Sequence, residues 1–483
     1  MAILKTDLKP SSNNNLNSYF PVRTTNSDEY DWDYAKAIVI RNLYQKSVSE
    51  KIIKSLEQLD KKEKKEGVER DNTNVSYDNA LKYLVGKTKI KFDSILDEEG
   101  LWPIIEDMYL KKDVFNTLAP ESALFNLLPY SASSSKNRLP DMFLSLMNGF
   151  YLEQTDKAGG KNSLKRIERN FLEEHVVECL RSDEILDDLK QGRLSKGINE
   201  KPYLPFLTAT FRKDLELLGQ YPAYLIENLT ALLKLYGFLY TSQLALNING
   251  WSAEPKSRPV YFIMENETAS KERTDLISNG FRKVAESFKF IFPYLSLNET
   301  FQEITDKDKE NNKHRVPLWE VASKLEESDI ESLKKFAEDF YISRNIKSKL
   351  DMDLDPEITT EKDWFKKILE ISVLQFNKGE TRSAAQNKFI KAIEQSLCSE
   401  FCRNRGQLGK ILVMNQDYLT LLTNVCIGEN EKLRFHELLK EFEARGVYFD
   451  KYSQQALITF FERVGNVERM SDSGDAVYVR KTI

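Results

Sequence analysis

Two glycine-lysine stretches invite a test for nucleotide chemistry, "AGGKNS" at 158–163 and "GQLGK" at 406–410. A phosphate loop needs the pattern Gly-x-x-x-x-Gly-Lys-[Ser/Thr], so that backbone N–H groups cradle the phosphates and the hydroxyl reaches Mg²⁺. The first stretch lacks the leading glycine and has Asn162 after its lysine, and the second is too short. Nuclease chemistry would want acids and a lysine near paired strand ends, to hold Mg²⁺ and activate water. Pro140-Asp141 lies in a helical context, and Glu265-Asn266-Glu267 follows a strand-like run but has Glu where Lys belongs. A degenerate nuclease is kept as a second alternative on that ground. Cys398 and Cys402 stand at i, i+4 on an expected helix, a spacing that could offer two thiolates to a metal. No third and fourth ligands are near, His436 being the closest histidine, and His175 with Cys179 repeats the pattern. Both pairs read as small core or boundary residues. The expectation is a chain with no metal, no cofactor and no catalytic activity.

The residues better suited to a function are ones that bind nucleic acid. Lys451, Ser453, Gln454, Gln455, Thr459 and Arg463 fall on the expected outward side of one amphipathic helix near the end of the chain. Gln can bond adenine edges, and Ser or Thr can bond bases or phosphates. Arg469, Arg480 and Lys481 lie in the stretch that follows and suit phosphates or a minor groove. Upstream, "NKGETRSAAQNKFIKAIEQSLCSEFCRNRGQLGK" carries Lys378, Arg382, Lys388, Lys391, Arg403, Arg405 and Lys410 against Glu380, Glu394 and Glu400. Arg403, Arg405 and Lys410 sit in "CRNRGQLGK", an expected loop whose two glycines would allow close approach to a phosphate backbone.

These side chains require elements to position them. Tyr418 to Ile427, Phe435 to Phe442 and Tyr452 to Val464 show helical periodicity, punctuated by Gly428, Gly446 and Gly465 where C-caps need glycine, with Asp450 as N-cap of the third helix. Tyr452, Ala456, Leu457, Phe460, Phe461 and Val464 are its expected apolar face. Val467–Met470 and Ala476–Val479 flank Ser-Asp-Ser-Gly-Asp and read as a hairpin. Helix, helix, helix, ribbon is the order of a winged helix, with the third helix as major-groove reader. Winged helices also dock proteins, and Glu437, Glu441, Glu443, Glu462 and Glu468 nearly balance the basic residues of this tail.

The rest reads as mainly α: a multi-domain helical scaffold with a C-terminal winged-helix (α+β) domain. The expected divisions are a flexible arm over 1–28, an N-terminal helical domain over 29–200, a central helical region over 201–304 with one buried strand at Val260–Met264, a helical region with the basic tract over 314–409, and the winged helix over 410–483. With 483 residues, roughly three packed units of ~150 residues are expected. Seventy Lys and Arg against 75 Asp and Glu, net −5, exclude a polybasic protein, so any nucleic-acid contact must be local. Four cysteines give no disulfide framework, and Met1 to Lys5 lacks the apolar core of a signal peptide, so a cytoplasmic protein is expected. Leu229 to Ile248 is long enough to span a bilayer, but Lys234, Ser242, Gln243 and Asn247 interrupt it, so the expectation is a buried helix and no membrane.

Several phrases resemble the DptG family, the G component of DNA phosphorothioation-dependent restriction systems. They are "YLPFLTATFRKDLELL", "LYGFLYTSQLALNINGW", "EPKSRPVYFIMENETASKER", "RGVYFDKYSQQALITFFERVG" and "SDSGDAVYV". The likeness covers about half of the chain, mostly from residue 200 onward, and rests on phrases and length. No site residues are carried over from it. It implies a non-catalytic scaffold and DNA-engaging subunit of an anti-phage defence complex acting on double-stranded DNA that lacks the sulfur mark. The implied partners are the ATPase-like F component and the helicase-like H component. A winged-helix transcriptional regulator is the first alternative.

Overall fold

The computed structural model describes residues 201–248, 253–302, 315–347, 358–470 and 476–483, apart from positions 271 and 381, together with 139–148 and a few positions between 8 and 43 and at 150. Nearly all of the expected arm at 1–28 and of the expected domain at 29–200, together with "AGGKNS" and His175 with Cys179, lies outside them. The chain divides into two compact units, one of 1–28, 199–214 and 234–483, the other of 29–198 and 215–233. In the second unit, helix α1 (Leu139–Met147) buries Leu139, Met142, Phe143, Leu146 and Met147, and the Trp32 and Phe143 rings lie 6.3 Å apart.

The division passes through two long helices, α2 (Pro205–Gly219) and α3 (Pro222–Ile248). No helix among the described residues is long and apolar enough to cross a membrane. The polar residues of α3 have a structural use. Gln243 donates to the Arg258 carbonyl (2.8 Å) and accepts from the Arg258 N–H (2.8 Å), and Asn247 does the same with Lys256 (3.0 and 3.1 Å). A side-chain amide carries one donor and one acceptor side like a peptide, so the two residues hold 256–258 extended as a neighbouring strand would.

That segment leads into β1 (Val260–Met264). Its sequence marks it as the one strand of the central region; the structure makes it an inner strand of a four-stranded sheet. β2 (Cys402–Asn404), β3 (Lys410–Met414) and β5 (Val447–Phe449) complete the sheet in the order β2-β3-β1-β5. β1 pairs in parallel with β3 (Ile263 opposite Val413) and with β5 (Phe262 opposite Phe449). β2 runs antiparallel to β3, so "CRNRGQLGK" is a hairpin around a short 3₁₀ turn rather than a loop. The continuous apolar runs of β1 and β3 suit parallel strands covered on both faces. On one face Phe262 meets Phe238 of α3 (5.7 Å) and Phe401 (6.4 Å); on the other, Ile263 packs with Ile411, Val413 and Leu276.

Helices α4 (Thr274–Ser278), α5 (Phe281–Ser287) and α6 (Ile291–Phe301) follow β1, and α7 (Leu318–Ala322) leads to α8 (Ile330–Ser343) and α9 (Glu361–Leu374). Phe301 joins this group through Phe336 (5.2 Å) and Phe365 (5.0 Å). After a turn at Gly379, α10 (Ser383–Ser396) precedes β2. Cys402 is therefore on a strand, and the helix expected to present Cys398 and Cys402 together ends at Ser396.

The tail runs α11 (Gln416–Ile427), β4 (Lys432–Arg434), α12 (Phe435–Ala444), β5, α13 (Lys451–Val464), β6 (Val467–Met470) and β7 (Ala476–Arg480). β4, β7 and β6 form an antiparallel sheet in that order. The expected ribbon is present and has gained β4 as a third strand. The described residues are thus mainly α with two small sheets. Gly446, between α12 and β5, holds φ +87°, and a Cβ there would fall 2.2 Å from the Gln243 amide nitrogen. Gly446→Ala should therefore destabilise by about 2–4 kcal/mol, from left-handed strain and disturbed Gln243 hydrogen bonds. Denaturant unfolding within about 0.5 kcal/mol of wild type would mean the turn is not fixed in this way.

Candidate nucleic-acid interface

α13 is held at its first turn by a buried network. Asp450 caps it by accepting from the Ser453 N–H (2.9 Å), as its position in the sequence suggested. The Arg273 guanidinium then grips both Asp450 oxygens (2.7 and 2.6 Å) and donates to Glu267 (2.9 Å). Glu267 also accepts from the Ser453 hydroxyl (2.9 Å) and from the Met264 N–H at the end of β1 (2.7 Å). The Arg273 side chain is only 4% exposed. Burial alone would raise the Asp450 carboxyl, but the Arg273 hydrogen bonds and the Ser453 N–H outweigh it and hold the group below its ordinary value.

The helix before it is anchored as firmly. Arg445, Asp214 and Tyr236 are all fully buried. Arg445 donates through Nε (3.1 Å) and Nη2 to the two oxygens of Asp214, and the Tyr236 hydroxyl donates to Asp214 Oδ2 (2.5 Å). Burial pushes the Asp214 carboxyl up, against the lowering pull of Arg445. Burial also works against the Arg445 charge, and Asp214 more than restores it. The Ser257 hydroxyl bonds the Glu443 carbonyl, so α12 and the segment before β1 are tied together.

With both helices fixed, the outer side of α13 is defined. Lys451, Gln455, Thr459 and Arg463 are exposed at four-residue spacing, which puts them on one stripe. Lys451 and Arg463 have no ion-pair partner among the described residues. The other two expected readers are drawn inward. Ser453 is fully buried in the Arg273 network, and Gln454 is half-buried with its amide donating to the Phe449 carbonyl (2.8 Å). Conversely Tyr452, expected in the apolar face, is 66% exposed, with the Arg273 guanidinium 5.8 Å from its ring, and Val464 is exposed as well. The pull of the Arg273 network on Ser453 explains the rotation of the first turn.

The ribbon's cations are mostly engaged. Arg469 pairs with Glu462 of α13, Arg480 and Lys432 share Glu468 (2.6 and 2.8 Å), and Lys481 donates to the Gly428 carbonyl (3.1 Å). Of the upstream tract, Arg405 donates to the Glu265 carbonyl (2.9 Å) and Lys410 pairs with Glu394 (2.6 Å). Arg403 is exposed and, among the described residues, donates only to the Ser399 and Cys402 carbonyls (3.1 Å each). α13, the ribbon and the hairpin each present a local surface, and the α13 stripe combines exposed cations with an exposed amide and hydroxyl.

The other candidates for chemistry are accounted for in packing. Burial pushes the Cys398 thiol well up and the Cys402 thiol up to about 12. Glu267, which stands where a nuclease would need Lys, is bound by Arg273, and no cluster of three metal-ligating side chains occurs among the described residues. Neither a protein-family model nor a curated protein matches the chain.

Removing Arg273 would leave Glu267 and Asp450 buried without a counterion. Arg273→Ala should cost roughly 3–5 kcal/mol and free the start of α13. Because Asp450 is depressed in the fold, its contribution is present above its unfolded value of 3.8 and is lost as pH falls through the lower folded value. Amide exchange at 451–454 should accordingly rise in wild type only below about pH 4, and at all pH values in the variant. Equal protection in both proteins at neutral pH would remove the network from the anchoring of α13.

Proposed function

We propose that this chain is a non-catalytic, DNA-engaging subunit of a phosphorothioation-dependent restriction complex, and that α11, β4, α12, α13, β6 and β7 act as a winged helix. The observation that carries the reading is the α13 stripe, Lys451, Gln455, Thr459 and Arg463, held by a buried network and exposed on its outer side. Two cations at its ends suit phosphates, and the amide and hydroxyl between them suit base edges. The order of helices and antiparallel strands in the tail supports the same reading, as does the resemblance of the chain's phrases to the DptG family. The F and H components would be the partners, supplying ATP hydrolysis and translocation in a bacterial cytoplasm.

Full-length protein with Gln455→Ala, Thr459→Ala and Arg463→Ala together should bind duplex DNA at least about tenfold more weakly. These side chains are exposed, so its unfolding midpoint should be unchanged. Undiminished DNA binding, with loss of co-purification with the ATPase component, would assign the stripe to protein docking. High-affinity binding of one operator by a symmetric dimer would favour the transcriptional regulator. The chain alone with Mg²⁺ should neither cleave plasmid nor hydrolyse ATP; cleavage abolished by Glu265→Ala would make it a nuclease.

A further inference from the structure

The basic tract before the tail looks mixed in sequence, but its acids and bases separate in three dimensions. Glu380 is buried and accepts from the Lys347 N–H (3.1 and 3.2 Å). Glu394 takes Lys410 (2.6 Å), and Glu400 takes Lys234 (2.5 Å). Each acid of the tract is engaged by a group outside α10. Arg382 is turned to the Arg344 carbonyl (3.1 Å), and Arg405 to the Glu265 carbonyl. What remains exposed is Lys378 in the preceding turn, Lys388 and Lys391 on α10, and Arg403 on β2.

Among the described residues, none of these four has a carboxylate partner. Lys388 and Lys391 are i, i+3 neighbours on one helix face, whose other exposed members are Ala384, Asn387 and Gln395. Like charges so placed repel, and no acid in the first turn of α10 relieves them. Arg403 is brought to the far end of the same helix by the ladder. Glu394 lies one turn beyond Lys391 and binds Lys410, which is paired with Asn404, the neighbour of Arg403. The β2–β3 hairpin thus sets a third exposed cation beyond the C-terminal end of α10.

We infer that the outer face of α10, with Arg403 of the β2–β3 hairpin, is a second phosphate-backbone surface for duplex nucleic acid, separate from the α13 stripe. Lysines that are not held in bidentate geometry, flanked on their face by Asn387 and Gln395 and, among the described residues of that face, by no exposed aromatic or large apolar side chain, suit a sequence-independent polyanion rather than base readout or a protein hot spot. The inference rests on the reading of the chain as DNA-engaging. It also moves the contact away from Arg405 and Lys410, whose charge is directed inward or neutralised.

The test uses the full chain and a labelled random-sequence duplex, with affinity followed against salt. Lys388→Ala, Lys391→Ala and Arg403→Ala together should flatten the slope of log affinity against log salt by about 0.9 for each phosphate no longer neutralised, and should lower affinity roughly tenfold to a hundredfold at physiological salt. The weakening should be equal for all duplex sequences. Each substitution alone should give a fractional effect with an unchanged unfolding midpoint, which separates the removal of a cation from misfolding. Wild-type binding with an unchanged slope in the triple variant would overturn this surface alone and leave the α13 reading standing. An unchanged slope together with failure to associate with an ATPase partner would reassign the face to protein. A wild-type chain that binds no duplex at any salt would overturn both.

Discussion

The pairing of β1 with β5 is the constraint on which the rest of the described structure depends. β5 is three residues long and lies between α12 and α13, so its register against Val260–Phe262 fixes where one helix ends and the next begins. The segment leading into β1 is held by Gln243 and Asn247 of α3, and at its end β1 passes to Glu267 and Arg273, which grip the first turn of α13. A slip of one residue in β1 would turn Phe262 away from Phe238 and Phe401 and carry Glu267 away from Ser453. Core packing and the orientation of the α13 stripe are therefore one problem. The tail owes its geometry to a strand about 190 residues earlier in the chain as much as to its own helices, as the spacing of Phe262 and Phe449 makes plain.

A second device recurs wherever an irregular segment must lie against a helix. Gln302 of the α6 end bonds both backbone groups of Val316 (2.8 and 2.9 Å), and Asn424 of α11 accepts from the Thr482 N–H (2.9 Å) while donating to its hydroxyl (2.9 Å). Together with Gln243 and Asn247, these buried amides supply strand-like partners from helices. An amide taken from water without such partners costs on the order of 1–3 kcal/mol, whereas a paired one is satisfied and also selects a single position for its segment. This accounts for two of the polar residues in the otherwise apolar run of α3: Gln243 and Asn247 face backbone, while Lys234 pairs with Glu400.

The parts legible in the sequence were those whose cause is local. Gly428, Gly446 and Gly465 have φ of +64°, +87° and +81° where helices stop, Asp450 caps α13, and the ribbon strands lie where alternation and turn formers placed them. The single strand at Val260–Met264 was also legible, as a continuous apolar run. Ile411–Met414 shows the same run directly before the N-cap Asn415, and that signal could have identified β3. β2, β4 and β5 are three residues each, too short for any period to be read, and exist only because a partner strand is present. The site divides in the same way. The four-residue stripe follows from helical geometry, but the inward turn of Ser453 depends on Arg273, 180 residues away. Nothing in the spacing of charges could show which of Lys388, Arg405 and Lys410 would lack a carboxylate.

Burial and pairing, not position in the sequence, decide which charges of the described residues are available to a partner. Arg273 and Arg445 are buried, each between a carboxylate and further acceptors, and moving either to a phosphate would strand the group it leaves. They are fixtures of the fold. Arg469 and Arg480 are also paired, but both of these side chains are 57% exposed, and pairs of that kind contribute little to stability because water and salt already screen them. Their partners can be exchanged for phosphates when a polyanion approaches, so an ion pair on the ribbon orients a cation without removing it from use. Lys451, Arg463, Lys388 and Lys391 have, among the described residues, no carboxylate to give up at all. In a chain of net charge −5, attraction to a polyanion must come from such local separations of sign. Here the separation is produced by the acids, which the fold draws into pairs with distant elements, rather than by any excess of lysine and arginine.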